Sequence, residues 1–331
     1  MTSSNYIRNV AIVGAGGNSG SYMASSLLST GKHTVTALTR SDSPNVPPRG
    51  CIMAQISYSE PSTIVSALGG QDCLIITMAP SPSERSSIST LIRSAAEAGV
   101  KYVIPNEWGP DTSLPAVVAS VPAFQGKAPQ RSLVEELGVS SWISITCGFW
   151  YEWSLTAEWR FGFSIPERRV TFFDDGETKI CTSTWPQVGR AVAGLLSLPV
   201  GPEDGGDPKA CVENFKNDVV YVNSFALTQK EMFASILRVT GTAASDWDVS
   251  CENSKERFEK GDADFKQRRD LKGMARAMYS RVFWEDGGAD FEKARGVDNE
   301  VLGLEREDVD EATRSAIKRA EDKMMDEGPL K

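Results

Sequence analysis

Histidine is almost missing from the chain: His33 is the only one in 331 residues. Serine–histidine–aspartate catalysis needs an imidazole beside its nucleophile, and most zinc sites take at least one, so both are nearly excluded. Cysteine is sparse and scattered. Cys51, Cys73, Cys147, Cys181, Cys211 and Cys251 include no CxxC pair, so reduced thiols and no metal site are expected. Basic residues are outnumbered, 35 Lys and Arg against 44 Asp and Glu, for a net charge of −9. Phosphate binding needs a basic face, so nucleic acid is not an expected partner, although a pocket can differ in charge from the surface. No run approaches ~18 apolar residues, and the polar stretch 1–9 leads straight into a strand-like run. The expectation is a soluble, cytoplasmic protein without a secretory or membrane-spanning segment. None of the seven tyrosines (Tyr6, Tyr22, Tyr58, Tyr102, Tyr151, Tyr221, Tyr279) has lysine four residues later, so the YxxxK pair of ordinary short-chain dehydrogenases is absent.

What is present is an alternation of strand and helix signals. Short apolar runs at 10–13, 34–39, 52–56, 73–77, 102–105 and from 141 to 145 read as strands. Residues 21–29, 62–68, 88–98 and 127–137 between them read as helices. Such alternation predicts an α/β fold, a Rossmann-type parallel sheet with helices on both faces. After about residue 150 the alternation weakens. Helices are expected at 186–198 and 228–240, the latter opened by a Thr228/Glu231 capping box, and a strand at 219–222. Residues 199–210 read as a loop, 252–274 as one charged surface helix, and 308–326 as a last helix ending near Gly328-Pro329. Residues 174–176 (Asp-Asp-Gly) read as the turn of a hairpin joining 170–173 to 178–180, rather than a metal cluster. Residues 1–150 are thus expected to form a dinucleotide-binding Rossmann domain. Residues 151–331 form a smaller α+β substrate lobe, some of whose segments pack back on the first.

The sharpest signal follows the first strand: Gly14-Ala-Gly16-Gly17-Asn18-Ser19-Gly20. Gly14 permits a tight turn, Gly16 and Gly17 let the main chain approach a pyrophosphate, and Gly20 lets the helix pack on the sheet. Phosphates then meet main-chain N–H groups at the helix N-terminus, with Asn18 and Ser19 beside them. The second strand ends Thr39-Arg40-Ser41, where Arg40 suits the 2′-phosphate of NADPH; Asp42 keeps NAD open. Ligands of open α/β sheets lie beyond the carboxyl ends of the strands, which adds Thr77, Met78 and Ala79, with Pro80 behind them, and then Pro105, Asn106 and Glu107. Trp108, Phe149, Trp150, Tyr151 and Trp153 are expected to form an aromatic substrate wall, with core packing as the plain alternative.

These residues, with FQGK at 124–127, GFWYEWSL at 148–155 and TFFDDGETKICTSTWPQVGRAVA at 171–193, resemble the isoflavone reductase-like (NmrA-like) family of atypical short-chain dehydrogenases, in a subgroup found in fungi. The resemblance spans nearly the whole chain. It implies NADPH as hydride donor, a small-molecule substrate, and at most a second copy of the chain as protein partner. It also implies a role for Lys127 in holding the nicotinamide ribose and in polarising or protonating the acceptor. VIPNEWG at 103–109 matches the family's FLPSEFG-type segment, with Asn106 where serine is usual, which alters the polar network. The expected activity is reduction of a small, aromatic or polyketide-like molecule in secondary metabolism. A dinucleotide-sensing regulatory protein, and a non-redox isomerase or cyclase on the same fold, are the alternatives.

Overall fold

Alternate residues of the first strand face opposite ways, and each way is apolar. The computed structural model describes residues 5–79, 83–203, 205, 210–286 and 288–322. In β1 (Asn9–Val13), Val10 and Ile12 pack into one core and Ala11 and Val13 into another. A strand buried on both faces needs helices on both. The elements that follow are α1 (Gly20–Ser29), β2 (Thr34–Thr39), β3 (Ile52–Gln55), α2 (Pro61–Leu68), β4 (Cys73–Ile76) and α3 (Glu84–Glu97). Next come β5 (Tyr102–Ile104), α4 (Pro115–Ser120), α5 (Ala128–Leu137) and β6 (Ser141–Thr146). Met23 and Leu27 of α1 close the first core, and Ile64, Leu91 and Val134 of α2, α3 and α5 close the second.

The remaining elements are β7 (Phe149–Trp150), α6 (Tyr151–Leu155), α7 (Glu158–Phe161), β8 (Phe163–Ser164), β9 (Arg169–Phe173), β10 (Ile180–Ser183) and α8 (Trp185–Ser197). They continue with β11 (Asp218–Tyr221), β12 (Phe225–Leu227), α9 (Gln229–Thr240), β13 (Asp248–Glu252), α10 (Ser254–Arg268), α11 (Leu271–Val282), α12 (Phe291–Arg295) and α13 (Val309–Glu321). The main sheet has seven strands in the order β3-β2-β1-β4-β5-β6-β11, all parallel. Strand order reverses between β1 and β4, the switch point where such sheets open a crevice. β11 and α8 come from the second half of the chain, and α8 packs beside α1: a Cβ on Gly189 would lie 2.6 Å from the Tyr22 carbonyl oxygen. Two three-stranded sheets, β12-β10-β7 and β13-β9-β8, carry a separate apolar core around Phe161, Phe173, Tyr279 and Phe283.

Two expectations are corrected. Residues 174–176 do turn, with Asp174 at φ 54° and Gly176 at φ 72°, but no hairpin forms. β9 pairs with β8 and β13, while β10 pairs with β12 and β7. The Asp174 carboxylate accepts the Ser254 N–H at the start of α10, so the turn is tied to a distant helix rather than to its own return strand. Residues 252–274 form no single helix. The chain turns at Arg269 (φ 56°), and Asp270 caps α11 by accepting the Lys272 N–H. α10 and α11 then pack where Gly261 meets Gly273, a Cβ on Gly261 lying 2.6 Å from the Gly273 oxygen, so this pair faces its own partner as well as solvent. The last helix runs to Glu321; residues 323–326, Gly328 and Pro329 lie outside the described residues, as do Pro80 and, within the expected loop, residues 204 and 206–209. The Thr228/Glu231 capping box forms as read.

Candidate active site

The carboxyl ends of β1, β2, β4, β5 and β6 converge on one edge of the sheet because all five run parallel. The glycine bend sits at the end of β1. Gly14 has φ +85°, and a Cβ there would lie 1.9 Å from the Thr77 oxygen; a Cβ on Gly20 would lie 2.1 Å from the Gly14 oxygen. Both positions therefore demand glycine on space alone, and Gly14 on backbone conformation too. The Gly17 N–H donates to the Gly14 oxygen (2.9 Å), and Ser19 Oγ lies 2.9 Å from Thr77 Oγ1, fastening the bend to the end of β4. Among the described residues the N–H groups of Asn18 and Ser19 have no acceptor. Gly16 is placed differently from expectation. Its Cβ position is only 2.9–3.0 Å from main-chain atoms of Asn45 and Val46, so the segment after β2 packs against it.

From the bend a run of hydrogen bonds leads to Lys127. Asn106 grips the main chain of Met78 from both sides: Oδ1 accepts the Met78 N–H and Nδ2 donates to the Met78 oxygen, each at 3.1 Å. Nδ2 also donates to Glu84 (2.8 Å), and the Asn106 N–H donates to Gln130. This is what asparagine does here in place of serine: its longer amide spans two strand ends. Trp108 Nε1 donates to the Ile76 oxygen (2.8 Å). Lys127 Nζ donates to the main-chain oxygens of Glu107 (2.9 Å) and Trp108 (3.2 Å). Lys127 precedes α5; the residue is half-buried and its ammonium is enclosed. Burial lowers its proton affinity from the ordinary lysine value; Glu107, Cys147 and Glu84 oppose that and Arg131 adds to it. Burial pushes the Cys147 thiol up to about 12, so it stays neutral at physiological pH. Loss of the Asn106 grip leaves Met78 groups unpaired. Asn106→Ala is therefore expected to lower unfolding free energy by about 1–3 kcal/mol, measured by urea denaturation.

The other sequence-selected residues divide. Thr39, Arg40 and Ser41 lie at the end of β2, away from Lys127. Arg40 is about half exposed and its Nε sits 3.1 Å from Asp42. Thr77 and Met78 are half-buried, Ala79 and Asn18 exposed, and Pro105 buried. Glu107 needs correction as a cofactor contact. Its carboxylate is enclosed, with Oε1 3.2 Å from Arg131 Nε and Oε2 accepting from Thr112 Oγ1. The aromatic wall is also corrected. Phe149 is buried and stacked on Tyr279 at 3.9 Å, and Tyr151 is buried with its hydroxyl 2.7 Å from Thr313 Oγ1. Trp153 lies under the Arg160 guanidinium. The run passes from β7 into α6, so its rings cannot share one face. Trp108 and Trp150 stay partly exposed. Tyr58, not selected from the sequence, brings its hydroxyl 3.8 Å from the Met78 sulfur and lies within electrostatic range of Arg40. A tyrosine just after the third strand was the only available sign.

Among the described residues no group of three or more His, Cys, Asp or Glu is placed to hold a metal, and no helix is long and apolar enough to cross a membrane. A parallel sheet with this strand order and a glycine bend at its switch point defines a Rossmann-type dinucleotide-binding fold. A model of the NmrA-like family matches residues 7–155. The oxidoreductase aprR of Aspergillus flavus is 27% identical over 315 residues, covering 93% of this chain and 98% of aprR. A crystal structure of isoflavone reductase superposes with a TM-score of 0.72 at 20% identity, over 95% of this chain and 99% of that one. A structure of AtPrR2 with NADP+ and (+)pinoresinol gives a TM-score of 0.72 at 18% identity, over 94% and 99%.

Proposed function

We propose that the chain is an NADPH-dependent oxidoreductase that reduces a small, flat, aromatic or polyketide-like molecule, with Lys127 polarising or protonating the acceptor. The observation that carries this reading is the position of Lys127. Two of its three N–H bonds are held by main-chain oxygens at the end of β5, and the third has no acceptor among the described residues. A charged donor fixed by backbone near the sheet's carboxyl edge is suited to charge that develops during a reaction. The kinship with an oxidoreductase, and with a fold solved holding NADP+, supports the cofactor.

The residues present fit a dinucleotide. At Gly14 and Gly20 the main chain of Thr77 and Gly14 leaves no room for a side chain, which keeps the bend tight, and the Asn18 and Ser19 N–H groups are available to the diphosphate. Arg40, at the end of β2, is the group for a 2′-phosphate. When bound, NADPH supplies a hydride. The protein's part is to hold the acceptor against Trp108 and Trp150, keep water out, and meet the negative charge that grows on the acceptor's heteroatom. Lys127 Nζ does this by donating its free N–H, and by passing a proton to that heteroatom where the product needs one.

Arg40→Ala is expected to weaken NADPH binding about tenfold or more, the worth of one charge-assisted hydrogen bond, while NADH binding changes little. Fluorescence titration with both nucleotides checks this, and equal losses would remove Arg40 from the role. For the whole reading, NADPH consumption is followed with a panel of flat enones and aromatic ketones. Binding of NADPH with no oxidation by any acceptor would support a sensor instead.

A further inference from the structure

Lys127 has a neighbour that threatens its charge. Arg131 lies four residues later, one helical turn along the same face. Two cations side by side in an enclosed site repel, and burial deepens the effect. Between them in the fold stands Glu107. Its main-chain oxygen takes the Lys127 ammonium at 2.9 Å. Its carboxylate, 1% exposed, faces Arg131 Nε at 3.2 Å and accepts from Thr112. Arg131 is itself only 15% exposed and lies over the Trp142 ring at 5.2 Å, so it cannot swing away to solvent without losing that packing. The same residue thus grips one cation through its backbone and the other through its side chain.

We propose that Glu107 is the positioning residue of this site: its main-chain oxygen fixes the Lys127 ammonium, and its buried carboxylate offsets Arg131 so that Lys127 stays charged. The inference rests on the reading of Lys127 as the group that meets the acceptor. The titratable groups facing Nζ come from four parts of the fold. They are Glu107 after β5, Glu84 on α3, Cys147 after β6 and Arg131 on α5. Cys147 is a neutral thiol at physiological pH, so the balance there is between two carboxylates and one guanidinium. Glu84 accepts a hydrogen bond from Asn106, which draws part of its charge away from Nζ. Glu107 is the largest influence raising the proton affinity of Lys127 against burial. Removing its charge lowers that affinity further, and removing the charge of Arg131 raises it.

The experiment reads the proton on Lys127 directly. Full-length protein labelled with ¹³C-lysine is titrated by NMR, with the Lys127 Cε signal assigned from Lys127→Arg. Glu107→Gln keeps the shape and the Thr112 contact, and is expected to move the Lys127 midpoint down by about one pH unit or more. Glu107→Asp, which keeps the charge, returns it most of the way. Arg131→Gln moves it up. Opposite shifts in variants that melt cooperatively support the proposal, because mere loosening of the loop would move both the same way. Unchanged midpoints, or shifts of one sign, overturn it. That failure is separable from failure of the catalytic reading, which shows instead as full turnover by Lys127→Met.

Discussion

Gly14→Ala is expected to take up no NADPH and to melt well below the parent protein. The added Cβ would sit 1.9 Å from the Thr77 oxygen, and no rotation of a side chain relieves a contact between backbone atoms. The residue is also held at φ +85°, where alanine is strained by about 1–3 kcal/mol. Both effects push β1 away from β4 at the switch point. The Thr77 contact with Ser19 Oγ is then lost, and the first turn of α1 is no longer aimed at the sheet edge. Differential scanning fluorimetry with and without NADPH measures both consequences. A variant that keeps the parent's melting temperature and its NADPH-induced shift would mean that the bend is not the cofactor's seat.

The second large effect is on turnover. Lys127→Met fills much of the same space without the charge, and is expected to slow reduction of any acceptor the parent turns over by about 10²–10⁴-fold. NADPH binding persists, because the glycine bend and Arg40 lie on other elements. The loss falls on kcat more than on KM if Nζ acts chiefly on charge formed in the transition state. Steady-state kinetics on parent and variant, with the same acceptor, distinguish this from a binding defect.

The amino-terminal half was legible because its signals are local. The runs at 10–13 and 102–105 are apolar on both faces, and Gly14 to Gly20 states its own geometry once it follows a strand. Thr228 and Glu231 announce their helix by spacing alone. What escaped depends on partners far along the chain. β9 pairs with β13 nearly 80 residues later, so the Asp-Asp-Gly turn at 174–176 gave a hairpin locally and a crossing between sheets in fact. Tyr151 and Phe149 looked like pocket aromatics, but Thr313 and Tyr279 claim them from α13 and α11. Glu107 was selected for its position at a strand end, and its pairing with Arg131 is visible in sequence only as the spacing of Lys127 and Arg131. Asn106 departs from serine in the sequence itself, whereas its reach to Met78 and Glu84 exists only once β4, α3 and β5 are packed together.

The account stands or falls on whether a dinucleotide on the glycine bend brings its nicotinamide to Lys127. A crystal structure of the NADPH complex measures that separation. The account predicts the diphosphate at Gly14 to Gly20 and Lys127 Nζ within direct or single-water hydrogen-bond reach, roughly 3–6 Å, of the nicotinamide ribose or the space facing C4. A bound nicotinamide lying well beyond that reach, or NADPH seated elsewhere, would contradict it.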